Sequence, residues 1–284
     1  MSWQSIALIL GVLFLIVALF RLISARMDRV GTAPDKMIER LSGFAGGAFF
    51  RIKSGIAIAY LLPCDEGYLL IDTGYPEDYE RFRSALAWAG IDQRNIKWLF
   101  LTHAHDDHVG FAARLIEDTG CRLIAPAGSL AQLAAGRVKY NGGGAITKRI
   151  AAMSFLYNLV KRRTMSFPAL SMGPSIWVLN GEDTSLAPAI GIAGSFVPTP
   201  GHSGDSFTLL LDDGRCFCAD AAMNFLNALG ADCRPIFVED EAQAYRSLKG
   251  LVARGAKTFY VGHGTPIKDS AVLATLERHQ RRIE

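Results

Sequence analysis

The longest apolar stretch of the chain is its first. Residues 3–23 carry one charge, Arg21, near the end of the run. As a helix rising 1.5 Å per residue the run would be roughly 30 Å long, enough to cross the hydrocarbon core of a bilayer. A cleaved signal peptide would place basic residues ahead of the run. Met1, Ser2, Trp3, Gln4 and Ser5 supply none, and no A-x-A-like site comes after it. A buried core helix would need neighbours patterned to surround it, and none is near. Arg21, Arg26 and Arg29 cluster behind the run, so the positive-inside rule places its C-terminal side in the cytoplasm. The expected layout is a transmembrane anchor over 1–23, a linker over 24–47 and a cytoplasmic globular domain over 48–284.

Within that domain, short β-type runs alternate with helical periodicity. Residues 49–53, 56–62 and 68–71 read as strands, broken at Gly55 and at the turn 63–67. Tyr79, Phe82, Leu86 and Ala89 then recur at helical spacing, and Gly90 supplies a stop. Next come a strand over 96–101, a helix over 110–119, a strand over 122–125 and a short helix over 129–135. After the break Asn141-Gly142-Gly143-Gly144, the pattern predicts a helix over 146–164 inside an insert of about 140–174. Ile146, Ile150, Met153, Tyr157 and Val160 form its stripe, with Lys148, Arg149, Lys161, Arg162 and Arg163 flanking it. Such a basic, apolar helix would suit a membrane surface, a lid or simple packing on the body. The second half returns to strands at 176–179, 192–197, 207–211 and 215–218, with Asp212-Asp213-Gly214 as a hairpin turn between the last two. A helix over 242–254, a strand over 257–261 and a closing helix striped by Val272, Leu276, His279 and Ile283 complete it. Two αβ halves in this order predict an α/β fold, a sandwich of two sheets with helices outside.

Composition narrows the function classes. The net charge of +3 argues neither for nor against nucleic acid, but no basic tract with interleaved aromatics is present, so a nucleic-acid partner is not expected. The five cysteines, Cys64, Cys121, Cys216, Cys218 and Cys233, form no CxxC, which excludes a zinc knuckle or a thioredoxin-like site. Reduced cytosolic thiols fit better than a disulfide framework.

Against this background His103-Ala104-His105-Asp106-Asp107-His108 stands out. It holds three of the chain's six histidines with two carboxylates, directly after an apolar strand. Imidazole and carboxylate are the usual first-row metal ligands, and polar side chains this crowded would otherwise repel or compete. Three more candidates follow later strands: Asp220 beyond Cys218, and two histidines in glycine-rich loops, His202 in Gly201-His202-Ser203-Gly204 and His263 in Gly262-His263-Gly264. The flanking glycines let the backbone turn sharply beside a metal. His279 reads as a helix-face residue without a site role.

Asp72-Thr73-Gly74, the His103–His108 cluster, Gly201-His202-Ser203, Asp220 and Gly262-His263-Gly264, in this order, resemble the metallo-β-lactamase-fold hydrolase superfamily. The resemblance spans about residues 48–270. It implies a four-layer αβ/βα sandwich with a two-metal site at one edge. His103, His105 and His202 would hold one metal, Asp107, His108 and His263 the other, with Asp220 bridging them and Asp106 facing away. Asp72 matches a position that orients ligands without binding metal. Asp220, where some antibiotic-degrading members carry cysteine, places the pattern nearer the glyoxalase II, lactonase and phosphodiesterase branches. Cys218 would then face the other side of its strand. Two divalent ions about 3.5–4 Å apart can share a bridging water and bring its pKa towards neutrality, giving hydroxide. Zinc suits this ligand set best, with iron or manganese also compatible. Asp107 is the carboxylate expected to orient the nucleophile or carry its proton. The implied activity is a membrane-anchored, zinc-dependent hydrolase with a small-molecule, acyl-bearing ester, thioester or lactone substrate. A phosphodiesterase or nuclease on the same fold and a mono-iron sulfur dioxygenase are the alternatives.

Overall fold

The computed structural model describes residues 33–44, 47–161, 165–173 and 175–279. The apolar run 3–23 lies outside them. Among the described residues no helix is long and apolar enough to cross a membrane.

Period-two alternation decides how the strands face. In β3 (Ala57–Cys64), β4 (Gly67–Ile71) and β5 (Ile96–Phe100), neighbouring residues point to opposite sides of one sheet. Leu61, Leu70 and Leu99 pack outward against the helices Tyr79–Trp88 and Ala112–Thr119, meeting Phe82, Leu86 and Leu115. Leu62, Leu69 and Phe100 point inward instead, where Phe196, Leu209 and Phe217 of a second sheet face them. Phe100 and Phe196 bridge the two sheets edge to face at 4.8 Å between ring centroids. Full burial of each such side chain stabilises the fold by about 1.5–3 kcal/mol.

Among the described residues the first sheet has seven strands in the order β1-β2-β3-β4-β5-β6-β8, with β1 Ile38–Phe44, β2 Gly47–Ser54, β6 Arg122–Pro126 and β8 Ile176–Leu179. The pairs from β1 to β4 are antiparallel and those from β4 to β8 parallel. The second sheet runs β14-β13-β11-β10-β9, with β9 Gly194–Pro198, β10 Phe207–Leu211, β11 Arg215–Ala219, β13 Thr258–Val261 and β14 Ile267–Lys268. Its outer face buries Cys216, Cys218, Phe259 and Val261 beneath Tyr245 and Leu248 of helix Glu241–Ala253 and Val272 of helix Asp269–Arg278. Helix, sheet, sheet, helix is the four-layer αβ/βα order expected.

Two local features differ from expectation. Part of the stretch read as linker, 24–47, is folded: the turn of helix Pro34–Met37 leads into β1, which pairs antiparallel with β2 (Ile38↔Ile52). Met37 and Ile38 are buried in the outer core, whereas Glu39 and Arg40 are exposed. An edge strand with so short an apolar signature has no run or periodicity to reveal it. The insert is also more than a helix. β7 (Gly144–Ala145) pairs with β12 (Phe237–Val238), and Ile146 and Ile150, at the start of helix Lys148–Lys161, are buried with Ala231, Val238 and Ala244. Met153 is half-buried, and the side chains of Tyr157 and Val160 lie outside the described residues.

Candidate metal centre

The seven predicted ligands arrive from four places at one edge of the sandwich. Beyond β5 the chain passes His103 and His105 and winds into a single helical turn, Asp106–Val109. That turn swings Asp107 and His108 round to the side of the cluster facing His263. The Asp72-Thr73-Gly74 turn clamps it from outside, since the Thr73 N–H and hydroxyl both donate to the His108 carbonyl at 2.8 Å. Gly110 is needed for this approach, because a Cβ there would stand 2.3 Å from the Gly74 carbonyl oxygen.

Asp220 and His263 come from parallel neighbours, β11 and β13, whose paired ends are Ala219 and Val261. Ala219 adopts φ 42, the left-handed turn that redirects Asp220 out of the strand. Cys218 stays in the helix-covered core, as expected. The His263 Nδ1 faces the Ile56 carbonyl at 2.8 Å, and the Gly262 carbonyl accepts from the Ile58 N–H at 2.9 Å, so the β2–β3 turn holds this loop. A Cβ on Gly262 would lie 2.4 Å from Asp220 Oδ1 and 2.7 Å from His108 Cε1. His202 lies beyond the end of β9, with its Nδ1 2.7 Å from the Phe237 carbonyl.

The result is two groups of donor atoms, each within 4.8 Å: His103, His105, His202 and Asp220, and Asp107, His108 and His263. His202 Nε2 and His105 Nδ1 face each other at 3.0 Å. Asp220 joins the groups, with Oδ2 3.4 Å from both His202 Nε2 and His263 Nε2 and Oδ1 3.4 Å from His108 Nε2. Asp107 Oδ2 is 3.1 Å from His263 Nε2. His103 Nε2, His108 Nε2 and Asp220 Oδ1 are buried without a hydrogen-bond partner. Orphaned polar atoms at such depth destabilise a fold, and a divalent cation would satisfy them, so the donor set fits one.

Behind the donors, a relay sets the imidazole tautomers. The Asp72 carboxylate accepts from the Thr102 N–H at 2.8 Å through Oδ1 and from the Thr102 hydroxyl at 2.8 Å through Oδ2. The same Oδ2 lies 2.8 Å from His108 Nδ1, and the Thr102 oxygen lies 3.0 Å from His103 Nδ1. With the hydroxyl proton directed at Asp72, both Nδ1 atoms are donors and both Nε2 lone pairs are free for a metal. Asp72 thus reaches both groups, His108 directly and His103 through Thr102.

Electrostatically the groups differ. Burial and the neighbouring imidazoles hold His103 well below its ordinary value and bring His105, where His202 is the principal neighbour, down to about 3. Burial opposes charge on His108 and His263 too, but carboxylates outweigh it. Asp220, Asp107 and Asp72 raise His108 well above the ordinary value, and Asp220 and Asp107 raise His263 to about 10. Burial disfavours the charged forms of Asp107 and Asp220, yet His108 and His263 hold both well below the usual carboxylate range. Without metal, His103 and His105 are neutral, whereas His108 and His263 carry protons that an entering cation must displace.

The sequence did not reveal three supporting residues. Asp205 is buried and accepts from the Ala104 N–H at 3.1 Å and the Ser129 hydroxyl at 2.7 Å, tying the His202 loop to the cluster. Its place three residues after His202 was the available signal. Tyr140 and Phe225 flank the mouth, with ring centroids 5.7 Å from His105 and 6.2 Å from His263 respectively. Asp106 is in neither ligand group, and His279 lies apart, against Tyr245.

Known proteins share this fold. Residues 57–263 match the family model described as the metallo-beta-lactamase superfamily. Among solved structures, the chain is similar to the metallo-beta-lactamase FIM-1 from Pseudomonas aeruginosa in its mono-zinc form, at TM-score 0.57 and 17% identity over 89% of this chain and 99% of that one. It is also similar to a metallo-beta-lactamase family protein from Thermus thermophilus, at TM-score 0.56 and 20% identity over 86% of this chain and 79% of that one. For BJP-1, a subclass B3 metallo-beta-lactamase of Bradyrhizobium japonicum, the values are 0.55 and 18% over 83% and 90%. These identities speak for the fold, while the family match covers most of the chain and every donor in both groups. The chain belongs to the metallo-β-lactamase superfamily, a family of metal-dependent hydrolases.

Proposed function

We propose that this protein is a membrane-anchored hydrolase that uses two zinc ions to cleave a small acyl-bearing ester, thioester or lactone. The observation that carries the reading is Asp220, whose two oxygens lie within 3.4 Å of histidines from both donor groups. His103, His105 and His202 would hold one ion and Asp107, His108 and His263 the other, with Asp220 shared. When bound, such a pair supplies an acidified water and a Lewis acid for the scissile carbonyl. The protein's own contribution is orientation. Asp107, its side chain 14% exposed, is the carboxylate most open to the cleft, placed to orient the attacking water and accept its proton. The relay through Asp72 and Thr102 keeps the Nε2 lone pairs of His103 and His108 directed at the reacting centre. Tyr140 and Phe225 give the mouth aromatic walls, which favours an apolar acyl group over a polyanion.

Membrane attachment rests on the apolar run 3–23 and the arginines behind it, which would keep the catalytic domain cytoplasmic. Elemental analysis together with a panel of a thioester, a lactone and a bis-phosphodiester tests the reading. Two zinc ions per chain with turnover of an acyl substrate are expected. Turnover of the phosphodiester alone, or undiminished activity after chelation, would overturn it. Fractionation of expressing cells should place the full chain with membranes and a chain lacking residues 1–30 in the soluble fraction.

A further inference from the structure

A short segment ties the insert to the metal centre. Over three residues, 237–239, the backbone and one side chain touch a candidate ligand, its loop and the insert. The Phe237 carbonyl lies 2.7 Å from His202 Nδ1. The Glu239 N–H donates to the Gly201 carbonyl at 2.9 Å. The Glu239 carboxylate then spans the gap: Oε2 accepts from the Gly204 N–H at 2.7 Å, and Oε1 accepts from the Asn141 N–H at 3.1 Å. On the other side of Tyr140, the Lys139 N–H donates to Gln132 Oε1 at 2.6 Å. The backbone N–H groups of both residues flanking Tyr140 are therefore held by side chains. Gly143 closes the segment, packed so tightly that a Cβ there would stand 2.0 Å from the Val238 carbonyl oxygen. A loop that only connects two elements needs none of these ties. What they hold in place is the Tyr140 ring, 49% exposed and inclined at 41° to the His105 ring.

Building on the hydrolase reading, we propose that the insert delivers Tyr140 to the reacting centre, where its phenolic O–H donates a hydrogen bond to the substrate's acyl oxygen, and that Glu239 is the positioning residue holding it there. Charge grows on that oxygen as the carbonyl is attacked, so a fixed donor acts more on the transition state than on the bound substrate. The insert then contributes directly to the reaction, and substrates whose acyl oxygen cannot reach the His105 side are excluded.

The test uses the zinc-loaded full chain as wild type, Y140F, E239Q and the double variant. Tyr140→Phe keeps the ring and removes only the donor. It should lower kcat about 100-fold with KM within about three-fold, as loss of one such donor does elsewhere. It should also weaken binding of octanoate, measured calorimetrically, by at least about 10-fold, with zinc content unchanged. Glu239→Gln leaves one acceptor oxygen for two N–H donors. It should lower kcat about 10-fold and speed hydrogen exchange over 139–145, and the double variant should be no worse than Y140F alone. Wild-type kcat and octanoate affinity in Y140F would overturn the proposal, as would a wild type that binds no octanoate. Multiplicative effects in the double variant would overturn the role of Glu239. If the wild type hydrolyses no acyl substrate but binds octanoate in a Tyr140-dependent way, the hydrolase reading fails and the hydrogen bond stands.

Discussion

Replacing Asp72 with Asn changes one atom at the root of the ligand relay. The residue sits at φ 58, a left-handed conformation that Asn accepts as readily as Asp, so the backbone should not move. The amide oxygen can keep the Oδ1 role, accepting from the Thr102 N–H. The amide NH2 then takes the place of Oδ2, which faces the Thr102 hydroxyl and His108 Nδ1, both at 2.8 Å. Two donors cannot face each other, so His108 must turn Nδ1 into an acceptor and move its proton to Nε2, the atom a metal needs. The Thr102 hydroxyl, now facing a donor, is free to turn its proton towards His103 Nδ1, with the same consequence one step further on. All four groups are buried, so no water can mend the chain. Losing one charge-assisted hydrogen bond of this kind costs about 1.5–3 kcal/mol, equivalent to roughly a 10–150-fold loss of affinity. Measured losses for residues supporting metal ligands, about 10–100-fold, agree. We expect chelator-competition titration of D72N with zinc to show that loss for the ion held by Asp107, His108 and His263. The loss should be smaller, about 3–10-fold, for the ion on the His103 side, which feels the change only through Thr102. Thermal unfolding of the metal-free variant should stay within about 5 °C of wild type, since the change is isosteric. Wild-type affinity at both sites in D72N would refute the relay.

Further expectations concern the same centre. Replacing His105 or Asp107 with Ala should abolish turnover of any substrate found while leaving the far-UV circular dichroism spectrum unchanged; retained activity in either would remove these residues from the mechanism. Gly262→Ala should drive Asp220 and His108 apart, because its Cβ would stand within 2.7 Å of both, and inductively coupled plasma analysis should find fewer than two ions per chain. The metal-free chain should be most stable near pH 6.5. His105, lowered to about 3, binds its proton only in the unfolded state between 3 and 6.5, so stability is lost as pH falls through that range. His263, raised to about 10, contributes stability that is complete below 6.5 and is lost as pH rises through 10. Thermal unfolding of the chelated protein across pH 4–10 checks this, and a flat profile from 6.5 to 10 would contradict it.

Most of the candidate site was legible in the residues because its chemistry is local and uncommon. His103, His105, Asp107 and His108 are consecutive or nearly so, and few folding requirements would place such side chains together at a strand end. His202 and His263 were legible through glycines beside them, of which Gly262 is sterically required, and Asp220 through its place at the end of an apolar strand. The strand and helix pattern predicted both sheets because inward and outward faces differ so cleanly in apolar content, as Leu69 and Leu70 show from adjacent positions. β1 escaped because this edge strand puts only Ile38 into the outer core and Leu41 against the inner one, too sparse a pattern to read as a strand.

By itself, then, the sequence determined the ligand types, their order along the chain and the two-sheet sandwich, since burial periodicity and donor chemistry are properties of neighbouring residues. Tertiary structure decided how closely the donor atoms gather, which imidazole nitrogen faces a supporting partner, and what stands over them. Asp72 meets His108 across 36 positions and Glu239 meets Asn141 across 98, and no periodicity in a chain encodes a contact at such separation. Those contacts form only once two sheets have packed and brought their strand ends to one edge. The reaction class was therefore readable from a few adjacent side chains, whereas tautomer, proton inventory and the reach of Tyr140 depend on the folded whole.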